Sequence, residues 1–176
     1  MTAQIEILEA GTPPRPTLTA EMREEAIHKM VSDHPVAFGD QPDTADQLVL
    51  TLATRFRGHE DGYELGKAIE RDSWHVDAHV VEALNDLSLI ANSILREAVK
   101  AWVSGFDITP PHRPGTRVTW NQRGKQVSGV VREHDIEYCH AQALYLITED
   151  GRAYPRNGTG TLVAYELCTA EQVAEA

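Results

Sequence analysis

The sequence predicts an α+β protein: a helical N-terminal half followed by a small C-terminal β-barrel. Three observations carry this expectation. Apolar residues recur at spacings of three and four as far as residue 105, and at alternate positions after residue 115. Between the two regions lies FDITPPHRPG, residues 106–115, whose three prolines and glycine make a stiff connection. The chain has 176 residues, 41% of them hydrophobic, which suits one ordinary domain or two small ones.

Residues 1–16 read as an extended leader, because Pro13, Pro14 and Pro16 forbid a helix. The alternating IEIL at residues 5–8 suits either an added edge strand or a bare tail. The helical domain then spans residues 17–105 and is expected to be a bundle. Thr19 caps a first helix with Met22, Ala26, Ile27, Met30 and Val31 on its apolar stripe, ended by His34-Pro35. Residues 35–42 read as a loop. Asp43 or Thr44 opens a second helix, whose apolar face reaches Phe56 and which Gly58 stops. Asp61 caps a short third helix bearing Leu65 and Ile69.

Asp77 opens the strongest element. Val80, Val81, Leu84, Leu87, Ala91, Ile94, Leu95, Ala98 and Trp102 form a stripe that stops at Gly105. A helix of that length packs along other helices or along its own copy, so residues 77–103 are the expected dimerisation or docking surface.

Residues 106–114 form the linker, and residues 115–168 the barrel. Four strands are expected, at residues 116–120, 126–132, 143–148 and 161–165, with Arg123-Gly124 and Asp150-Gly151 at hairpin turns. Residues 169–176 read as a tail with a last helical turn or two.

Charge narrows the partners. The chain has 16 Lys and Arg against 27 Asp and Glu, a formal net charge of −11. Such a balance argues against delocalised binding to a phosphate backbone or an anionic membrane, so direct nucleic-acid binding is not expected. Residues 1–105 hold 18 acids and 9 bases, whereas residues 115–165 hold 5 acids and 6 bases, so the acidity belongs to the helices. No apolar run reaches the length of a membrane span. The start of the chain lacks the basic and apolar regions of a signal peptide, and two cysteines make no disulfide framework. A cytoplasmic protein is the expectation.

One resemblance is carried by Pro114-Gly115-Thr116-Arg117-Val118-Thr119-Trp120, by Gly129-Val130-Val131, and by Asp150-Gly151-Arg152-Ala153-Tyr154. This cadence resembles the SH3-like barrels of the Tudor and KOW type, with a G-x-x-V opening strand one, a G-x-V on strand two and a D-G hairpin after strand three. It covers about 50 residues. The resemblance implies an SH3-like fold and a binding role. Tudor-type barrels hold methylated side chains in an aromatic cage, but Trp120, Tyr138, Tyr145, Tyr154 and Tyr165 do not map onto cage positions. KOW-type barrels often contact RNA or a polymerase, and their basic excess is missing here. In style the acidic helical half is similar to bacteriophage and mobile-element accessory proteins.

Several constellations carry chemistry in principle. His75 and His79 lie four apart, but Asp77 as a helix cap places His75 before the helix and breaks their shared face. Glu133, His134, Asp135, Glu137 and His140 offer carboxylates and imidazoles suited to a divalent metal, but the favoured reading is a solvated loop between strands, where such residues are expected. Cys139 and His140 are adjacent and so point apart on a strand, and three neighbouring acids oppose a thiolate. Gly158-Thr159-Gly160-Thr161 lacks the lysine of a phosphate loop and reads as a turn. No cofactor and no catalytic set is assigned.

The expectation is a non-enzymatic protein-binding or adaptor protein. Its recognition residues would be Trp120, Glu133, His134, Asp135, Glu137, Tyr138 and Tyr154, because rigid scaffolds concentrate function on their loops. An alternative is an anti-defence inhibitor that blocks a nucleic-acid-binding complex with an acidic surface of Glu21, Glu24, Glu25, Asp43, Asp46, Glu64 and Glu70. A metal-dependent enzyme at residues 133–140 is a third reading.

Overall fold

A computed structural model describes residues 13–39, 44–52, 54–132, 136–151 and 160–171. The fold is α+β: helices fill the N-terminal half, and a curled, half-barrel antiparallel sheet of five strands follows. Two compact units are present. Residues 16–98 form the helical unit; the described residues before 16 and from 99 onward form the sheet unit.

The helical unit begins with α1 (Ala20–Asp33), whose first turn is capped by Thr19, the hydroxyl accepting from the Met22 N–H. His34 leaves helical geometry, and Pro35 restarts a single turn, α2 (Pro35–Phe38), inside the expected loop. Helix α3 (Thr44–Leu52) stops earlier than its apolar pattern implies. Phe56 is still buried, but its carbonyl accepts from the Arg23 guanidinium instead of extending the helix. The Glu60 carboxylate then organises the next loop by accepting from the N–H groups of Arg57, Gly58 and His59. Burial opposes its charge, but the N–H groups of Arg57, of Glu60 itself and of His59 more than offset burial and hold its pKa below the ordinary value.

Helix α4 (Gly62–Glu70) is capped by Asp61, and α5 (Ala78–Gly105) by the Asp77 carboxylate, which accepts from the Val80 N–H. Helix α4 starts hard against α5: a Cβ at Gly62 would lie 2.3 Å from the Val81 carbonyl oxygen. The Asn85 side chain accepts the Gly62 N–H at 2.7 Å, so this early donor is satisfied by a neighbouring helix. The core joins Ala26, Ile27 and Met30 with Leu48, Leu52, Phe56, Leu65 and Ile69, and with Val80, Ala83, Leu84, Leu87 and Ala91 of α5. The strongest part of the α5 stripe is therefore spent inside its own chain, and Leu89 is left as its exposed large apolar residue. Among the described residues, no helix is long and apolar enough to cross a membrane.

The sheet unit contains β1 (Arg117–Gln122), β2 (Lys125–Val131), a short helix α6 (Ile136–Ala141), β3 (Leu144–Glu149), β4 (Thr161–Ala164), a 3-10 turn (Tyr165–Leu167) and β5 (Thr169–Ala170). The order is β4-β3-β2-β1-β5, and the described pairings are antiparallel. Arg123 and Gly124 both take positive φ, the geometry a two-residue hairpin needs, and the Asn121 side chain accepts from the Gly124 N–H. Strand β5 stands where a helical tail was expected; it covers the free edge of β1. The end of the chain beyond residue 171, like residues 1–12, lies outside the described residues.

Residues 13–15 belong to this unit. The Trp102 indole N–H donates to the Pro13 carbonyl at 3.0 Å. The Arg15 guanidinium donates to the carbonyls of Gln142 and Ala143 and pairs with Glu166.

Gly129 of β2 faces β3 with no room for a side chain. A Cβ there would lie 2.5 Å from the Thr148 carbonyl oxygen and 2.6 Å from the Ile147 side chain. Gly129→Ala is therefore expected to destabilise the protein by about 1–3 kcal/mol, read as a lowered urea midpoint.

Candidate functional site

The described feature that best suits recognition is a groove in the sheet unit with a cavity volume of about 150 Å³. Four stretches of chain converge on it. Pro110, His112, Arg113 and Pro114 come from the proline-rich segment, Val131 and Arg132 from the end of β2, Cys139 and His140 from α6, and Leu144, Tyr145 and Leu146 from β3.

The proline-rich segment, expected as a linker, is held on the sheet. Its prolines donate no N–H, but the His112 N–H donates to the Tyr145 hydroxyl at 2.6 Å. The His112 ring stacks on Tyr145 with centroids 5.8 Å apart, and its Nε2 lies 3.4 Å from the Cys168 carbonyl oxygen. On the other side Tyr145 meets Tyr165 at 4.4 Å, and His140 approaches Tyr165 edge-on. The segment then joins the sheet through Gly115 N–H to Val131 O and Val131 N–H to Thr116 O.

The floor and walls are mostly apolar, while Arg113, Arg132, His112 and His140 supply the basic groups. No carboxylate is among the described lining residues. Arg113 is exposed and Arg132 half-buried, and neither guanidinium has an ion pair among the described residues. By contrast, Arg117 of β1 pairs with Asp150 and Glu171.

The recognition residues expected from sequence fall in different places. Trp120 is 5% exposed and packs in the sheet core, so it presents little surface to a partner. Glu133, His134, Asp135 and Tyr154 lie outside the described residues. Glu137 and Tyr138 contribute backbone to α6, and their side chains lie outside the described structure. The part of that polar run which does reach the groove is Cys139 and His140. Sequence reasoning missed Arg113, Arg132, His112 and Tyr145 as lining residues; the proline spacing beside two cationic groups was the available signal.

No group of three metal-ligating side chains occurs among the described residues. Of the acidic surface, Glu21, Glu24, Glu25, Asp46, Glu64 and Glu70 are exposed on the helical unit, and Asp43 lies outside the described residues. Glu21 sits in the first turn of α1, where backbone N–H groups and then the Thr19 hydroxyl lower its pKa. Asp46 faces His28 at 3.4 Å.

The groove's inner side is built on protonated groups. Burial, followed by the charge of Glu166, pushes the Cys168 thiol up to about 12. Burial also raises the pKa of the Tyr145 and Tyr165 hydroxyls. The Tyr165 hydroxyl is buried and has no hydrogen-bond partner among the described residues. Comparisons with known protein families, with curated proteins and with solved structures find no match to this chain.

Two outcomes follow. Tyr145→Phe keeps the ring and removes the acceptor for His112, so a loss of about 1–3 kcal/mol is expected in denaturant unfolding. Stability should also fall with alkali. The unfolded Cys168 thiol releases its proton near its ordinary value of 9, while the folded one holds it to about 12. Unfolding therefore becomes easier as pH rises through that window, and the raised tyrosines steepen the loss above pH 10. Urea midpoints measured from pH 8 to 11 check this, and Cys168→Ala should flatten the first part of the decline.

Proposed function

We propose that the protein is a non-enzymatic binding protein, and that its sheet unit is an SH3-like barrel presenting the groove to a protein partner. The order β4-β3-β2-β1-β5 supports the SH3-like reading, since a four-strand meander whose fifth strand returns to the first is how a small barrel begins to close. The observation that carries the function is the groove itself: apolar walls assembled from four chain segments, with two arginines that have no ion pair among the described residues. Ion pairs elsewhere in the sheet unit hold Arg15 and Arg117, whereas Arg113 and Arg132, which line the groove, have none among the described residues.

The volume also favours this role. About 150 Å³ is below the usual range for a drug-sized ligand or cofactor, and it accommodates one ring-sized apolar group. Such a seat with a polar, charged margin has the make-up of a protein-recognition anchor site.

The test is capture from native host lysate by the wild-type chain and by the double variant Arg113→Glu/Arg132→Glu. A specific partner held by the wild type should be retained at least about tenfold less by the variant, with an unchanged circular dichroism spectrum and melting temperature. Equal retention by the two proteins removes the groove from the binding function.

A further inference from the structure

We infer that the groove's partner is an acidic peptide segment that seats a single aliphatic or aromatic side chain between its own carboxylates; this rests on the binding role proposed above and names its ligand. Charge supplies the first constraint. The chain as a whole is acidic, at −11, yet the groove's described lining holds His112, Arg113, Arg132 and His140 and no Asp or Glu. Residues 115–165 are nearly balanced at 5 acids and 6 bases, so described lining residues that carry basic groups and no acid concentrate one sign locally. Charges in a cleft walled by apolar surface are poorly screened, so they select against cationic ligands as strongly as they favour anionic ones.

Space supplies the second constraint. Val131, Leu144, Leu146, Pro110 and Pro114 give the site apolar walls, and the volume admits one side chain of Leu, Ile or Phe size. A ligand must therefore combine a single compact apolar group with more than one negative charge close by. A peptide with Asp or Glu on either side of one apolar residue meets both conditions. Its carboxylates can take bidentate hydrogen bonds from guanidinium groups that have no ion pair among the described residues.

Rigidity supplies the third. The wall carrying Arg113 is set by the adjoining His112, which is fixed twice, through its N–H on the Tyr145 hydroxyl and its ring on the Tyr145 ring. The opposite end of the same segment is fixed by Gly115 on Val131. A wall built in this way does not have to be ordered by the ligand, which lowers the entropic cost of seating a short peptide.

The experiment is fluorescence anisotropy with short labelled peptides and the full chain. One probe has a central Leu flanked by Asp and Glu, a second replaces the Leu by Ser, and a third replaces the acids by Lys. The acidic Leu peptide should bind, with affinity falling at least about tenfold for each change in the peptide and for Arg132→Gln or Arg113→Gln in the protein. Binding of the Lys peptide as tight as that of the acidic one overturns the inference, as does binding indifferent to the Leu. If no peptide binds at about 1 mM while capture of the lysate partner still depends on Arg113 and Arg132, the acidic-peptide ligand is wrong and the binding role stands. If capture is indifferent as well, both fall.

Discussion

The hydrogen bond from the His112 N–H to the Tyr145 hydroxyl is the constraint on which the groove depends. A buried phenol without a polar partner costs stability, and a segment with Pro110, Pro111 and Pro114 has few N–H groups to give. Pairing the two solves both needs and fixes the stiff segment at one height above β3. Stacking of the imidazole on the same ring then fixes its orientation. Without that anchor the segment would be the spacer its composition suggests, and Val131, Leu144 and Leu146 would line an open sheet face.

The surroundings of Tyr145 reinforce this arrangement. Its ring lies between His112 and Tyr165, and Cys168 is fully buried nearby through the contact of its carbonyl with His112. Burial holds the Tyr145 and Tyr165 hydroxyls and the Cys168 thiol in their protonated, uncharged forms. These three groups thus stay neutral through the physiological range, while the guanidinium groups of Arg113 and Arg132 keep their charge there. Recognition through those guanidinium groups weakens as salt rises.

Much of the architecture was legible from single residues. Thr19, Asp61 and Asp77 cap the helices they were expected to cap, and Gly105 ends the longest one. Arg123-Gly124 and Asp150-Gly151 mark turns because each contains a residue that accepts positive φ. What escaped the sequence depends on tertiary partners. Helix α6 ends next to Ala143, which takes positive φ although glycine usually holds such a position, so the usual stop signal is missing. Strand β5 has only two residues and exists because β1 offers an edge. Helix α3 ends short of its apolar pattern, where Arg23 binds the Phe56 carbonyl from a distant helix. The groove was the least legible part. Its arginines are ordinary in sequence and gain meaning only when the proline segment is folded over β3.

Arg15 has a consequence for how the chain is made. Its guanidinium closes on the carbonyls of Gln142 and Ala143, more than 120 positions later in the chain. During synthesis the residue emerges early and waits until β3 has formed before its acceptors exist. Contacts of such long range close late, because their loop entropy must be met before they contribute. The latch therefore governs how long the finished sheet unit stays folded, and has little influence on how quickly it is reached.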